Sequence, residues 1–103
     1  MRIQQVQNTQ RVYDDIRVTK VETLESGQEL LTADLLDENE EVHLFEIITS
    51  NPCQIIFTFQ TGKVSRPKLI EPNRVVTFDN LRPIKSAQFI GDAGTILEIA
   101  IAI

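Results

Sequence analysis

The chain has few of the residues that most often carry out chemistry. Its 103 residues include one histidine, one cysteine, one tyrosine and no tryptophan. A single cysteine, Cys53, cannot form a disulfide within the chain, which argues against a disulfide-stapled secreted scaffold. A catalytic triad would depend on His43 alone, and a cupin-type metal site would lack most of its histidine ligands. These absences predict a protein that is not an enzyme and that carries no cofactor.

Membrane and nucleic-acid classes are disfavoured as well. No apolar run approaches the ~20 residues that a membrane-spanning helix needs. The first residues have neither the apolar core nor the cleavage site of a signal peptide, so we expect synthesis in the cytoplasm without secretion. The net charge of −5 disfavours general binding to nucleic acid. The charge is uneven, since eleven of the fifteen acidic residues lie within residues 1–50.

Alternation of apolar and polar residues dominates from Val12 onward. Isoleucine, valine and threonine are abundant, and turn residues recur every ~8–12 positions. This pattern predicts an all-β domain over residues 12–103: a two-sheet antiparallel β-sandwich, jelly-roll-like, with about eight short strands. We expect strands over residues 30–33 and 41–50, among others. Residues 91–94 have the composition of a hairpin turn.

Residues 1–11 form a separate polar segment in which Ile3 and Val6 are the apolar anchors. Such a segment is either a disordered terminus or an arm that contacts a neighbouring subunit. Basic residues of the second half give the domain a modest basic side. The candidates for contacts with a partner or with a second copy are therefore Ile3, Val6, Arg66, Lys68 and Arg74.

An acidic loop over residues 34–41 is the only candidate for a metal site. Asp34, Asp37 and Glu38 carry the hard oxygen ligands that calcium prefers. Their spacing does not match an EF-hand loop, and no glycine turns the chain around an ion. A solvated acidic loop is the alternative interpretation.

The order of strands and turns resembles that of small accessory virion proteins of bacteriophages. The similarity rests on LTA at residues 31–33, VHLFEIITSN at 42–51, IIFTF at 55–59, PNRVVTF at 72–78 and PIKSA at 83–87. Proteins of this kind are β-sandwiches, often trimeric, that decorate capsids or build tails and fibres. The acidic loop departs from their pattern, which usually has small residues there.

The resemblance implies a non-enzymatic structural protein of a virion, located there as a capsid decoration, cement or tail accessory subunit. Its partners would be copies of itself, as a homotrimer, together with capsid or tail proteins. The alternative from another class is a ligand-binding β-sandwich module for carbohydrate or peptide.

Overall fold

The computed structural model describes residues 13–79 and 82–103. Within these residues the chain forms seven strands and no helix, arranged as two antiparallel sheets, which confirms the predicted all-β sandwich. The strands are β1 (Ile16–Glu22), β2 (Leu44–Thr49), β3 (Cys53–Phe59), β4 (Lys68–Ile70), β5 (Val76–Phe78), β6 (Ile84–Ile90) and β7 (Ile96–Ala102).

The strand order is that of a jelly roll. Sheet A has the order β1-β7-β2-β5, and sheet B has the order β4-β3-β6. An isolated bridge between Glu29 and Gln88 lies at the free edge of β6 and takes the position of a fourth strand in sheet B. When this bridge is counted as a strand, each sheet has four strands and the chain crosses repeatedly from one sheet to the other. This is the jelly-roll arrangement.

The core lies between the two sheets and is built by the predicted alternation. Phe45 and Ile47 of β2, and Ile55 and Phe57 of β3, are fully buried. The Phe57 ring contacts the Phe45 and Phe78 rings edge-to-face, with centroids 5.3 Å and 5.1 Å apart. Because β2 and β5 belong to sheet A and β3 to sheet B, this ring cluster joins the two sheets.

The predicted strand over residues 30–33 is wrong. Only the Glu29 bridge forms there, and the chain then turns inward so that Leu30 and Leu31 are buried. Glu29 explains the difference, because its carboxylate accepts hydrogen bonds from the Leu31 and Ala87 backbone N–H groups and from the Ser86 hydroxyl. The apolar pair therefore closes the core at the edge of sheet B and does not extend a strand.

Two further expectations about local structure need correction. The chain over residues 41–50 is extended, but Val42 bridges to Ile84 in sheet B, and β2 begins only at Leu44 in sheet A. Residues 91–94 do not form a hairpin, because they link β6 of sheet B to β7 of sheet A. Gly91 is needed at this crossing, where a Cβ atom would lie 2.8 Å from the Phe89 ring.

Candidate interaction surface

The outward-facing side of sheet A is apolar at most of its positions. In β1, Ile16 is 66% exposed and Val18 is 76% exposed, although both are large hydrophobic residues. The register places Ile16 opposite Ala102 and Val18 opposite Ala100 of β7, while Leu44 and Glu46 of β2 follow on the other side. We call this surface the outer face of sheet A. Its residues are Ile16, Val18, Lys20, Glu22, Leu44, Glu46, Ile48, Ile96, Glu98, Ala100 and Ala102.

The centre of the outer face is a shallow depression of about 430 Å³. It forms because Ala100 of the central strand β7 is small, whereas Val18 and Ile48 on the flanking strands are larger. Glu46, Glu98 and Lys20 also contribute to its lining. The depression therefore offers an apolar floor with polar groups of mainly negative charge around it.

The charges of the outer face are unbalanced. Glu22, Glu46 and Glu98 provide three carboxylates, and Lys20 provides the single cation. Lys20 lies directly opposite Glu98 in the β1–β7 register. Glu46 accepts a hydrogen bond of 3.1 Å from the Thr77 hydroxyl of β5, which fixes its carboxylate beside the depression. A partner that brings positive charge and apolar side chains would complement this surface.

The outward side of sheet B has a different composition. In β3 and β6 it carries four polar residues, Gln54, Thr58, Ser86 and Gln88, which alternate with the half-buried Ile56 and Ile90. Leu69 of β4 is 68% exposed, but its neighbour in the register is Gln54. Scattered exposed hydrophobic residues are ordinary, whereas a contiguous apolar patch marks an interaction site. The outer face of sheet A is thus the stronger candidate surface.

Arg17 of β1 holds the acidic loop against the edge of sheet A. Its guanidinium donates two hydrogen bonds of 2.6 Å to the Glu40 carboxylate and one of 2.9 Å to the Leu35 carbonyl oxygen. Asp15 accepts a further bond of 2.8 Å from the same side chain. Hydrogen bonds from Arg17 and from the Asp37 backbone N–H lower the pKa of Glu40 from 4.5 to about 2.

We expect the Glu40→Gln substitution to lower the melting temperature near neutral pH, and the difference from the unchanged chain to disappear in acid. A carboxylate whose pKa is lower in the folded chain stabilises the fold above its unfolded pKa of about 4.5 and loses that contribution as pH falls to about 2. The effect is small because both side chains remain partly exposed to solvent, which screens the pair. Thermal melts between pH 7 and pH 2 check it, with Glu38→Gln as the control. A difference that stays constant across this range would contradict it.

The calcium candidates do not converge on a site. Asp34, Asp37 and Glu38 are all exposed. In the part of the chain that the structure describes, no group of three or more His, Cys, Asp or Glu side chains is placed to hold a metal ion. The Glu40 carboxylate, which also belongs to this loop, accepts hydrogen bonds from Arg17 and from the Asp37 N–H.

Of the predicted contact residues, the three that the structure describes, Arg66, Lys68 and Arg74, lie away from the outer face of sheet A. Ile3, Val6 and the predicted arm of residues 1–11 lie outside the described residues, as does the predicted boundary at Val12. Arg66 is exposed before β4, and Lys68 begins β4 at the edge of sheet B. Arg74 lies in the link between β4 and β5, where it forms an exposed ion pair of 3.5 Å with Glu71.

His43 and Cys53 have surroundings that fit structural roles. His43 precedes β2, is half-buried, and donates its backbone N–H to the Ala102 carbonyl. Cys53 is a free, buried thiol, and its sulfur lies 3.8 Å from the Thr49 hydroxyl. Burial raises the pKa of the Cys53 thiol, which keeps it protonated and slow to react.

Sequence reasoning missed the outer face of sheet A, although a signal for it exists. β7 is apolar on its inward side and, apart from Glu98, on its outward side as well, since Ile96, Ala100 and Ala102 alternate with Leu97, Ile99 and Ile101. A strand that is apolar on both sides is typical of a sheet that is covered on both sides. Within the described residues, only one side of β7 is covered by the core.

No protein-family model, curated protein or solved structure matches this chain. None of the described segments forms a helix with the length and hydrophobicity to span a lipid bilayer.

Proposed function

We propose that this chain is a structural subunit without catalytic activity, which self-associates and docks on a repeating assembly. A capsid decoration, cement or tail accessory protein of a virion is the setting that its order of strands resembles. The observation that supports this proposal is the outer face of sheet A, where Ile16 and Val18 stand exposed beside half-buried Leu44 and Ile48. An apolar surface on a rigid sheet suits permanent association between copies. When the assembled copies dock on a repeating shell, the affinities of many weak contacts combine through multivalency.

Light scattering of the full chain over a concentration series tests self-association. We expect a mass that is a small multiple of the 11.7 kDa chain, three copies being the expected number. A mass of 11.7 kDa at every concentration up to the millimolar range would contradict the proposal. Co-sedimentation with purified virions or shells then tests docking, for which saturable binding is expected.

A ligand-binding module for a short peptide is the second candidate. The depression on the outer face has a volume of about 430 Å³, within the range of ~300–1,000 Å³ that ligand sites occupy. Its lining contains no aromatic side chain on which a sugar ring could stack, so peptide is favoured over carbohydrate. Saturable binding of a basic, apolar peptide to a chain that stays monomeric would favour this candidate.

A further inference from the structure

The charge on the outer face of sheet A disfavours contact between two such faces. Each face carries Glu22, Glu46 and Glu98 against a single Lys20. A symmetric contact would bring the carboxylates of both copies together in a partly desolvated interface, where like charges repel each other strongly. The outer face of sheet A should therefore bind a different surface or segment, and that partner should carry positive charge.

Residues 1–12 of this chain have the complementary composition. They contain Arg2 and Arg11 and no acidic residue, so the segment has a charge of +2 before its terminal amine is counted. Their apolar residues are Met1, Ile3, Val6 and Val12. In a chain of net charge −5, this segment therefore combines basic and apolar residues without an acid.

The position and length of this segment allow it to reach a second copy. Its last residue precedes Tyr13, and the Asp14 and Asp15 backbone N–H groups both donate to the Ile103 carbonyl at the end of β7. The segment therefore joins the domain beside Ile16, at one end of the outer face. Twelve extended residues span up to about 40 Å. The outer face is only about 20 Å long, measured along the seven residues of β1.

We propose that residues 1–12 of one copy bind across the outer face of sheet A of a neighbouring copy, with an arginine beside the Glu46 and Glu98 carboxylates and the apolar residues on the floor of the depression. The inference rests on the proposed function, since it names the contact by which copies associate. Each copy gives one segment and receives one, and such contacts form a closed ring when the rotation between copies closes, of which a trimer is an example.

Complementation between two defective copies tests this proposal. The first variant is Arg2→Glu with Arg11→Glu, which reverses the charge of the segment and leaves the face intact. The second is Glu46→Lys with Glu98→Lys, which reverses the face and leaves the segment intact. We expect each variant alone to be monomeric by light scattering, because its segment and its face carry charge of the same sign. An equimolar mixture should form oligomers that contain both variants in equal numbers, because the intact segment meets the intact face and the reversed segment meets the reversed face.

Each other outcome overturns the proposal in a distinguishable way. A mixture that stays monomeric means that the segment does not bind a neighbouring copy. This is the result expected if the segment binds the outer face of its own copy. A segment variant that keeps the mass of the unchanged chain means that copies associate through another surface, and the proposed function then stands without this contact. If the unchanged chain is itself monomeric, the proposed function fails as well.

A second measurement covers the case in which the lysine substitutions impair folding. Copies carrying Val6→Cys are mixed with copies carrying Ala100→Cys and oxidised, and we expect a disulfide between two chains. A Gln88→Cys copy is the control, because Gln88 is exposed on the outward side of sheet B. Equal cross-linking to both positions, or none to Ala100→Cys, would overturn the proposal.

Discussion

The Phe57→Ala substitution is expected to lower the free energy of unfolding by about 3–5 kcal/mol, the range seen when a buried phenylalanine is truncated. Phe57 is fully buried, and its ring contacts the rings of Phe45 and Phe78. Its removal leaves a cavity within the aromatic cluster that joins the two sheets. A domain of this size has a total stability of ~5–15 kcal/mol, so the variant retains little or no stability.

Urea denaturation measures this loss, with Gln54→Ala as the matched control on the same strand. Gln54 is exposed and points away from the core, so its truncation should change stability by no more than ~0.5 kcal/mol. If Phe57→Ala does not fold at all, Phe57→Leu should fold with intermediate stability, because it keeps most of the buried volume. Equal urea midpoints for Phe57→Ala and Gln54→Ala would contradict the placement of Phe57 in the core between the two sheets.

The Val18→Lys substitution is expected to weaken self-association by about 30-fold or more. Val18 borders the depression of the outer face and is 76% exposed, so a lysine there changes the surface without disturbing the core. In the assembly we propose, the new ammonium is buried against a basic, apolar segment, and a loss of ~2 kcal/mol at such a central position corresponds to that factor.

Leu69→Lys is the matched control for Val18→Lys. Leu69 is also exposed, also points outward and also lies in an edge strand, but it belongs to sheet B. We expect this variant to keep the dissociation constant of the unchanged chain in sedimentation equilibrium. Both variants should have similar melting temperatures as isolated domains. A larger loss for Leu69→Lys would move the interaction surface to sheet B.

The fold class could be predicted from the sequence because alternation is a local property. β7 illustrates this, since Leu97, Ile99 and Ile101 recur at every second position and are all buried. The strand order was predicted only as a type, because local patterns do not specify which strands pair. The missing strand at residues 30–33 has the same cause: the Glu29 carboxylate bonds to Ser86 and Ala87, more than fifty residues away.

The candidate surface was harder to predict than the fold. The alternation in β1 separates Ile16 and Val18 from Arg17 and Thr19, but it does not say which side faces the core. That choice follows from the long-range bonds of Arg17 to Glu40 and Leu35, which hold Arg17 on the inward side. The predicted basic contacts at Arg66, Lys68 and Arg74 stay predictions, and the outer face of sheet A is not where they lie.

Thiol labelling of a cysteine placed on the outer face of sheet A measures directly whether this face is covered when copies of the chain associate. The native Cys53 is buried and its pKa is raised, so it contributes a slow background. We expect Val18→Cys in the assembled chain to react at least tenfold more slowly than Leu69→Cys, and the two to react alike once the chain is diluted to monomers. Equal and fast labelling of both positions in the concentrated chain would contradict the proposal that this face is an interaction surface.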